Sequence, residues 1–263
     1  MPEGHKIHRI ARDHQRHFAC KRLEVSSPQG RFTDGAKLLS GKTLKSVDAH
    51  GKHLCYHWSG GKFLHIHLGL YGKFRLHRPP FPEPYGQVRL RVVGKEKAFD
   101  LNGPNTCRII NREEWAAVQA RLGADPLRDD GDFEQIWIRI GGSRAAIGTL
   151  LLNQSVIAGV GNIYRSEVLY LLGIHPETPG RELAREQVKL LWAKLKSLLE
   201  IGVKYNRIII AEPKEIGKPR SRMNRDERLL VYKKPVCSRC DTEIESWLLG
   251  ARKVFACPKC QLS

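Results

Sequence analysis

Apolar side chains recur at Ile7, Ile10, Ala11 and Phe18, the spacing of a helix with one buried face. His8, Arg9, Arg12 and Arg16 fill the other positions, so residues 3–18 are predicted to be helical. The texture then changes to period two. Short alternating runs occur at LEV (23–25), TLKSV (43–47), HLCYHW (53–58), KFLHIHL (62–68) and QVRLRVV (87–93), punctuated by Gly, Pro, Ser and Asp. They predict a mostly antiparallel β-sandwich or barrel reaching to about residue 115. From about residue 113 the period is helical again, in REEWAAVQARL, FEQIWIRI, AAIGTLLLNQ, NIYRSEVLYLL and ELAREQVKLLWAKLKSLLEIGV. The stretch GADPLRDDGD between the first two of these reads as a linker. The expected organisation is α+β and multidomain: a β-sandwich over residues 1–122, a linker over 123–131, a helical domain over 132–226 and a cysteine module over 227–263.

Charge narrows the partner. The chain of 263 residues carries 45 Lys and Arg against 27 Asp and Glu, a formal net charge of +18. Such an excess favours a polyanion, and nucleic acid is the commonest one. The run KPRSRMNR at 218–225 has four positive charges and no negative one. No apolar run approaches the roughly 18–20 residues that span a bilayer. The start MPEGHKIHRIARDH lacks the apolar core of a secretory signal. A soluble intracellular protein with no membrane partner is expected.

Of seven cysteines, four form Cys237-x2-Cys240 and Cys257-x2-Cys260, with 16 residues between the pairs. Each pair puts two sulfurs on one tight knuckle, and two knuckles complete a tetrahedron of thiolates around one zinc ion. All four positions are filled by protein, so the Zn2+ is structural. WLLG and KVF between the pairs read as the strands of a hairpin, with Arg252 and Lys253 at its tip or just past it. An Arg there can present its fork to a phosphate, or simply be a solvated charge.

Pro2 follows the initiator Met, and its small size permits Met removal. The mature chain would then begin with a secondary amine at the start of a helix, whose positive end favours the unprotonated, nucleophilic form. Attack on an aldehyde-like sugar carbon gives an iminium ion, an electron sink for elimination. Glu3 beside it can move protons. The same two residues also suit an ordinary helix start.

Taken in order, MPEGHKIHR, GKHL (51–54), HLGLYG (67–72), IAGVGNIYRSE (157–167) and the terminal CxxC-x16-CxxC resemble the formamidopyrimidine-DNA glycosylase and endonuclease VIII family over essentially the whole chain. The PEG start and the His-Arg after it resemble the endonuclease VIII branch of actinobacterial type, which implies a monomer of the bacterial cytoplasm, associated with the nucleoid through DNA. The resemblance implies a helix–two-turn–helix in the helical domain, a C-terminal zinc finger, and base-excision repair of damaged DNA by a bifunctional glycosylase and AP lyase. Pro2 would be the Schiff-base nucleophile and Glu3 the general acid/base. Lys52 would assist catalysis beside the lesion. Gly161 and Asn162 would bind backbone phosphate. Arg252 would serve the reaction by gripping phosphates around the extruded nucleotide. Leu70 and Tyr71 would fill the gap that nucleotide leaves. Gly69 stands where some endonuclease VIII members carry Gln, which bears on the opposite-strand contacts.

Oxidised pyrimidines are the expected lesions, with oxidised purines the alternative within the family. A zinc-finger nucleic-acid binder without catalysis, or a lapsed lesion sensor, are the alternatives outside it. Separately, His53, Cys55 and His57 alternate on one predicted strand and His65 and His67 on the next. If the strands pair, their side chains share a face, which could hold a metal, face DNA, or simply be polar.

Overall fold

The computed structural model describes residues 2–262. The expected loss of Met1 therefore lies outside the described residues. The chain divides into two compact units: Ile7–Arg121 with the first residues of the chain, and Gly4–Lys6 with Leu122 onward.

The first unit contains α1 (Gly4–Phe18) apart from its first turn, β1 (Lys21–Arg22), β2 (Glu24–Ser26), α2 (Thr33–Leu39), β3 (Thr43–His50), β4 (His53–Trp58), β5 (Lys62–His67), β6 (Lys73–His77), β7 (Val88–Val93), β8 (Ala98–Asn102), β9 (Thr106–Ile110) and α3 (Arg112–Ala120). The strands form two antiparallel sheets, ordered β1-β3-β4-β5-β9 and β2-β7-β8-β6. Alternation explains how they pack. Leu54, Tyr56 and Trp58 of β4 and Leu64 and Ile66 of β5 share one core with Leu90 and Val92 of β7 and Phe99 and Leu101 of β8. Helix α1 adds Ile7, Ile10, Ala11 and Phe18 to that core. His14 enters it as well: its Nδ1 lies 2.7 Å from the Tyr56 hydroxyl and its ring stacks on Phe99 at 4.4 Å. Burial pushes its pKa down to about 3, so it packs as a neutral ring.

The sequence pattern does not show α2, β1, β6, β8 or β9. Strand β8 is buried at every position and therefore has no alternation to read. Its buried Asp100 is held by His77 at 2.9 Å and Arg91 at 3.7 Å.

The second unit contains α4 (Phe133–Gly141), α5 (Ile147–Leu150), α6 (Asn162–Leu172), α7 (Arg185–Tyr205), α8 (Pro213–Ile216), β10 (Glu245–Leu249) and β11 (Arg252–Ala256). One core joins Ile136 and Ile140 of α4, Tyr164 and Val168 of α6, and Leu191, Leu195 and Leu199 of α7. AAIGTLLLNQ, expected as a helix, is helical only over Ile147–Leu150. Turns follow, with Asn153 Oδ1 accepting from the N–H of Ser155 at 3.0 Å. The stretch 123–131 is packed into this unit: Asp125 is buried, and Ala158 N–H donates to Ala124 O at 3.0 Å. No helix among the described residues is long and apolar enough to cross a membrane.

A buried carboxylate fixes the approach to the cysteine module. Glu167 of α6 is fully buried and accepts hydrogen bonds from the backbone N–H groups of Leu230, Val231 and Tyr232 at 2.9–3.2 Å. Burial pushes its carboxyl up to about 7, against those donors.

Candidate active site and metal centre

The start of α1, the β3–β4 turn, the end of β5 with the loop after it, and the residue before β9 line a cavity of about 380 Å³. Pro2 stands just before α1, where Glu3 is the N-cap residue in extended conformation and is only 2% exposed. Gly51 and Lys52 form the two-residue turn between β3 and β4, with Gly51 at φ 58 and His50 opposite His53. Leu70 and Tyr71 lie between β5 and β6 and are 56% and 85% exposed. The cavity is lined by Pro2, Lys52 and Leu70 from the expected set, together with His67 at the end of β5 and Asn105 before β9. Residues far apart in sequence thus meet at one hollow. Tyr71 does not line it.

The histidine face forms as the alternation predicts. In β4 and β5, His53 pairs with His67, Cys55 with His65 and His57 with Phe63. His53 Nδ1 lies 2.9 Å from His65 Nε2, so one of these nitrogens donates and the other accepts. The His53 and His67 ring centroids are 4.7 Å apart, and His65 packs against Trp115 at 5.8 Å. Burial first, then the neighbouring positive groups, lowers the pKa to about 3 for His53 and about 4 for His65. His67 is lowered for the same reason, with Lys52 adding to it. Among the described residues this face gathers no group of three convergent metal ligands.

The second unit assembles the remaining expected positions. Gly161 is the N-cap of α6, and Gly159 just before it adopts φ 89. At Gly159 the backbone is approached closely: Gly4 N–H donates to Gly159 O at 2.8 Å, and a Cβ on Gly4 would stand 2.9 Å from the Gly159 Cα. Glycine at position 4 of the PEG start has this steric reason. Asn162 is buried, donates from Nδ2 to Lys253 O at 2.9 Å, and accepts at Oδ1 from Arg165 Nη2 at 2.6 Å. Arg165, fully buried, also reaches the carbonyls of Arg252 and Lys253 at 3.3 and 3.0 Å. Sequence reasoning passed over Arg165, because a charged residue in a helix reads as surface. Its role is to clamp the β10–β11 hairpin to the start of α6. The hairpin pairs Trp247 with Val254 and Leu249 with Arg252, so Arg252 opens β11 directly after the turn.

Beyond the hairpin the four cysteines converge. The Sγ atoms of Cys237, Cys240, Cys257 and Cys260 all lie within 4.8 Å of one another, with three pairs at 3.5–3.8 Å. Thiolates placed tetrahedrally about 2.3 Å from one ion stand roughly 3.8 Å apart, so the donor set fits one tetrahedral metal. Gln261 braces the second knuckle, accepting from Cys257 N–H and donating to Ile174 O, both at 2.9 Å.

Comparison with known proteins agrees with this geometry. The formamidopyrimidine-DNA glycosylase N-terminal domain matches residues 1–104, and the formamidopyrimidine-DNA glycosylase H2TH domain matches residues 122–213. The chain is 46% identical to Endonuclease 8 1 of Mycobacterium tuberculosis, covering 99% of this chain and 100% of that protein. It is 28% identical to the formamidopyrimidine-DNA glycosylase of Haemophilus influenzae, over 99% of this chain and 98% of that one. Among solved structures, the Lactococcus lactis glycosylase complexed with DNA containing an abasic site superposes with TM-score 0.82 at 25% identity, over 99% of this chain and 100% of that one. The same glycosylase with DNA containing N7-benzyl-Fapy-dG gives TM-score 0.83 at 25% identity, covering both chains fully.

Proposed function

The chain belongs to the formamidopyrimidine-DNA glycosylase and endonuclease VIII family of DNA-repair glycosylases, and from that membership we propose that it is a bifunctional glycosylase and AP lyase acting on oxidised pyrimidines in DNA. The observation that carries this reading is the cavity that joins Pro2 to Lys52, with exposed Leu70 on its wall. A damaged nucleotide leaves the stack, and Leu70 and Tyr71 occupy the gap. The Pro2 amine attacks C1′ and the glycosidic bond breaks, the base leaving with its electron pair and a proton. The C1′–O4′ bond then opens, O4′ taking up a proton, and the iminium so formed between the Pro2 nitrogen and C1′ acidifies C2′–H. Loss of that proton expels the 3′ phosphate, and a second elimination expels the 5′ phosphate. Water then releases the sugar remnant and regenerates the amine. Glu3 is assigned to the proton transfers and Lys52 to the sugar and its phosphate.

Arg252 is assigned to the flanking phosphates. Asn162 has a second Nδ2 N–H without a protein partner among the described residues, and this is the donor we assign to phosphate. Residues 1–122, 132–226 and 227–263 act as the catalytic, helical and zinc-finger parts, joined by 123–131. Zinc is the metal we assign to the cysteines. When bound it supplies no chemistry to the reaction and orders the finger. The protein works as a monomer in the bacterial cytoplasm.

A second reading, oxidised purines, is favoured by the likeness to the glycosylase bound to N7-benzyl-Fapy-dG DNA. Borohydride trapping on abasic-site DNA with peptide mapping tests the chemistry. An adduct at Pro2 is expected. An adduct at Lys52 would move the nucleophile, and no adduct from a zinc-loaded chain beginning at Pro2 would favour a binding protein. Excision rates on thymine glycol and 8-oxoguanine substrates decide between the two lesion classes.

A further inference from the structure

The histidine face touches the cavity at one point, and the contact has consequences for the two polar side chains there. His53 follows Lys52 directly in the chain and lies opposite His67 across the β4–β5 ladder. Lys52 and His67 both line the cavity with Pro2, whereas His53 does not. His53 is thus covalently joined to one wall and packed ring to ring on the other, with centroids 4.7 Å apart and planes 32° apart. Its own ring is held by the 2.9 Å bond between its Nδ1 and His65 Nε2, and the same two rings stack at 5.2 Å and 25°. His65 is in turn wedged against Trp115 of α3 and is 4% exposed.

We propose that His53 is a positioning residue for the reaction at Pro2: locked by His65, it fixes the ring plane of His67 and the base of the Lys52 side chain at the cavity wall. This rests on the reading of that cavity as the active site. The physical case has three parts. A solvent-side imidazole at the end of a strand would sample several rotamers, and each ring contact here removes some of them. A His–His hydrogen bond needs one nitrogen protonated and the other bare, so it holds the two rings in complementary tautomers. No carboxylate supplies this bond, so the rings remain neutral partners rather than an ion pair. The sheet delivers this arrangement because His53 and His67 sit at matched register positions, while Leu54 and Ile66 beside them anchor the ladder in the core.

The test compares His53→Ala with His53→Phe in the full zinc-loaded chain, measuring kcat and KM for cleavage of abasic-site DNA. Ala removes the ring; Phe keeps a flat ring over His67 but loses the bond to His65. His53→Ala is expected to lower kcat roughly tenfold with KM changed by less than about twofold, because displaced groups at a reacting centre cost rate rather than phosphate contacts. Phe should recover part of that loss through the ring contact with His67 and leave the part that depends on the bond to His65. Equal damage in both variants, an unchanged kcat in the Ala variant, or a rise in KM alone would overturn the proposal. Should the Ala variant fail to fold, long-range 1H–15N spectra of the unmodified protein at neutral pH decide the matter. Single, complementary tautomers for His53 and His65 are expected, and a freely exchanging mixture in either ring would overturn it. A wild-type chain that cleaves nothing would instead sink the active-site reading itself.

Discussion

At the scale of single residues, the chain places chemistry where burial sets protonation. Pro2→Gly exchanges the secondary amine for a primary one in a more flexible backbone, and the expected result is loss of base excision in a glycosylase assay on oxidised-pyrimidine duplexes. Lys52→Ala should slow strand cleavage by about one to two orders of magnitude while leaving the melting temperature near that of the wild type. The histidines make a further prediction. Burial lowers His5, His14 and His53 to about 3 and His65 to about 4. Below their ordinary value near 6.5 the unfolded chain takes up protons that the folded chain refuses. Stability is therefore full above that pH and is lost as pH falls toward 3, at roughly 1.4 kcal/mol per pH unit for each such group. Glu167 works in the opposite sense, since its carboxyl, raised to about 7, takes up a proton in the folded state first. Four groups outweigh one. Urea unfolding with zinc in excess should show stability declining steadily from about pH 6.5 to 5; a flat profile would mean that these rings have water access.

At the scale of elements, sequence patterns were informative wherever one face is buried and the other is wet. The helix expected over residues 3–18 is Gly4–Phe18, and HLCYHW is β4 residue for residue. The cysteine spacing was readable for another reason: two knuckles and a hairpin dictate a single geometry, and β10 and β11 lie where WLLG and KVF place them. Strand β8 was hidden because burial on both faces erases alternation, and α2 because seven residues hold too few turns to show a period. Of the site, Pro2, Lys52 and Leu70 were visible as motif positions. His67 was noticed only as part of a histidine face, and its place beside Pro2 depends on strand pairing that no local pattern encodes. Arg165 and Glu167 were missed because a buried charge is identifiable only by its partners, and most of these lie 63–88 residues away. Those partners define a test at this scale. Glu167→Gln replaces an acceptor of three backbone N–H bonds with a group that is half donor. It should cost about 1–3 kcal/mol in chemical unfolding and speed zinc release to a chelator, because the segment it holds leads into Cys237. Unchanged zinc release would show that the module docks without it.

At the scale of the whole molecule, the net charge of +18 has to be reconciled with a site built from only a few named cations. Most of the excess lies outside the cavity and the hairpin, so it acts through the general field, raising encounter rates and non-specific affinity. Specific grip comes from cations that sit on phosphates and release counterions. The two contributions separate in salt. Affinity for a duplex carrying a non-cleavable abasic analogue should fall along a straight line in log K against log salt, steepening by about 0.9 for each phosphate neutralised. Four or five contacts imply a drop of roughly a hundredfold or more between 50 and 200 mM salt. Arg252→Ala should then make the slope shallower by about 0.9, because a cation leaves a phosphate. Asn162→Ala should weaken binding without altering the slope, because the amide is neutral and its loss also removes one of the bonds that tie the hairpin to α6. If Arg252→Ala leaves the slope intact, Arg252 does not sit on a phosphate and the phosphate grip belongs elsewhere in the second unit, first of all to the basic run at 218–225.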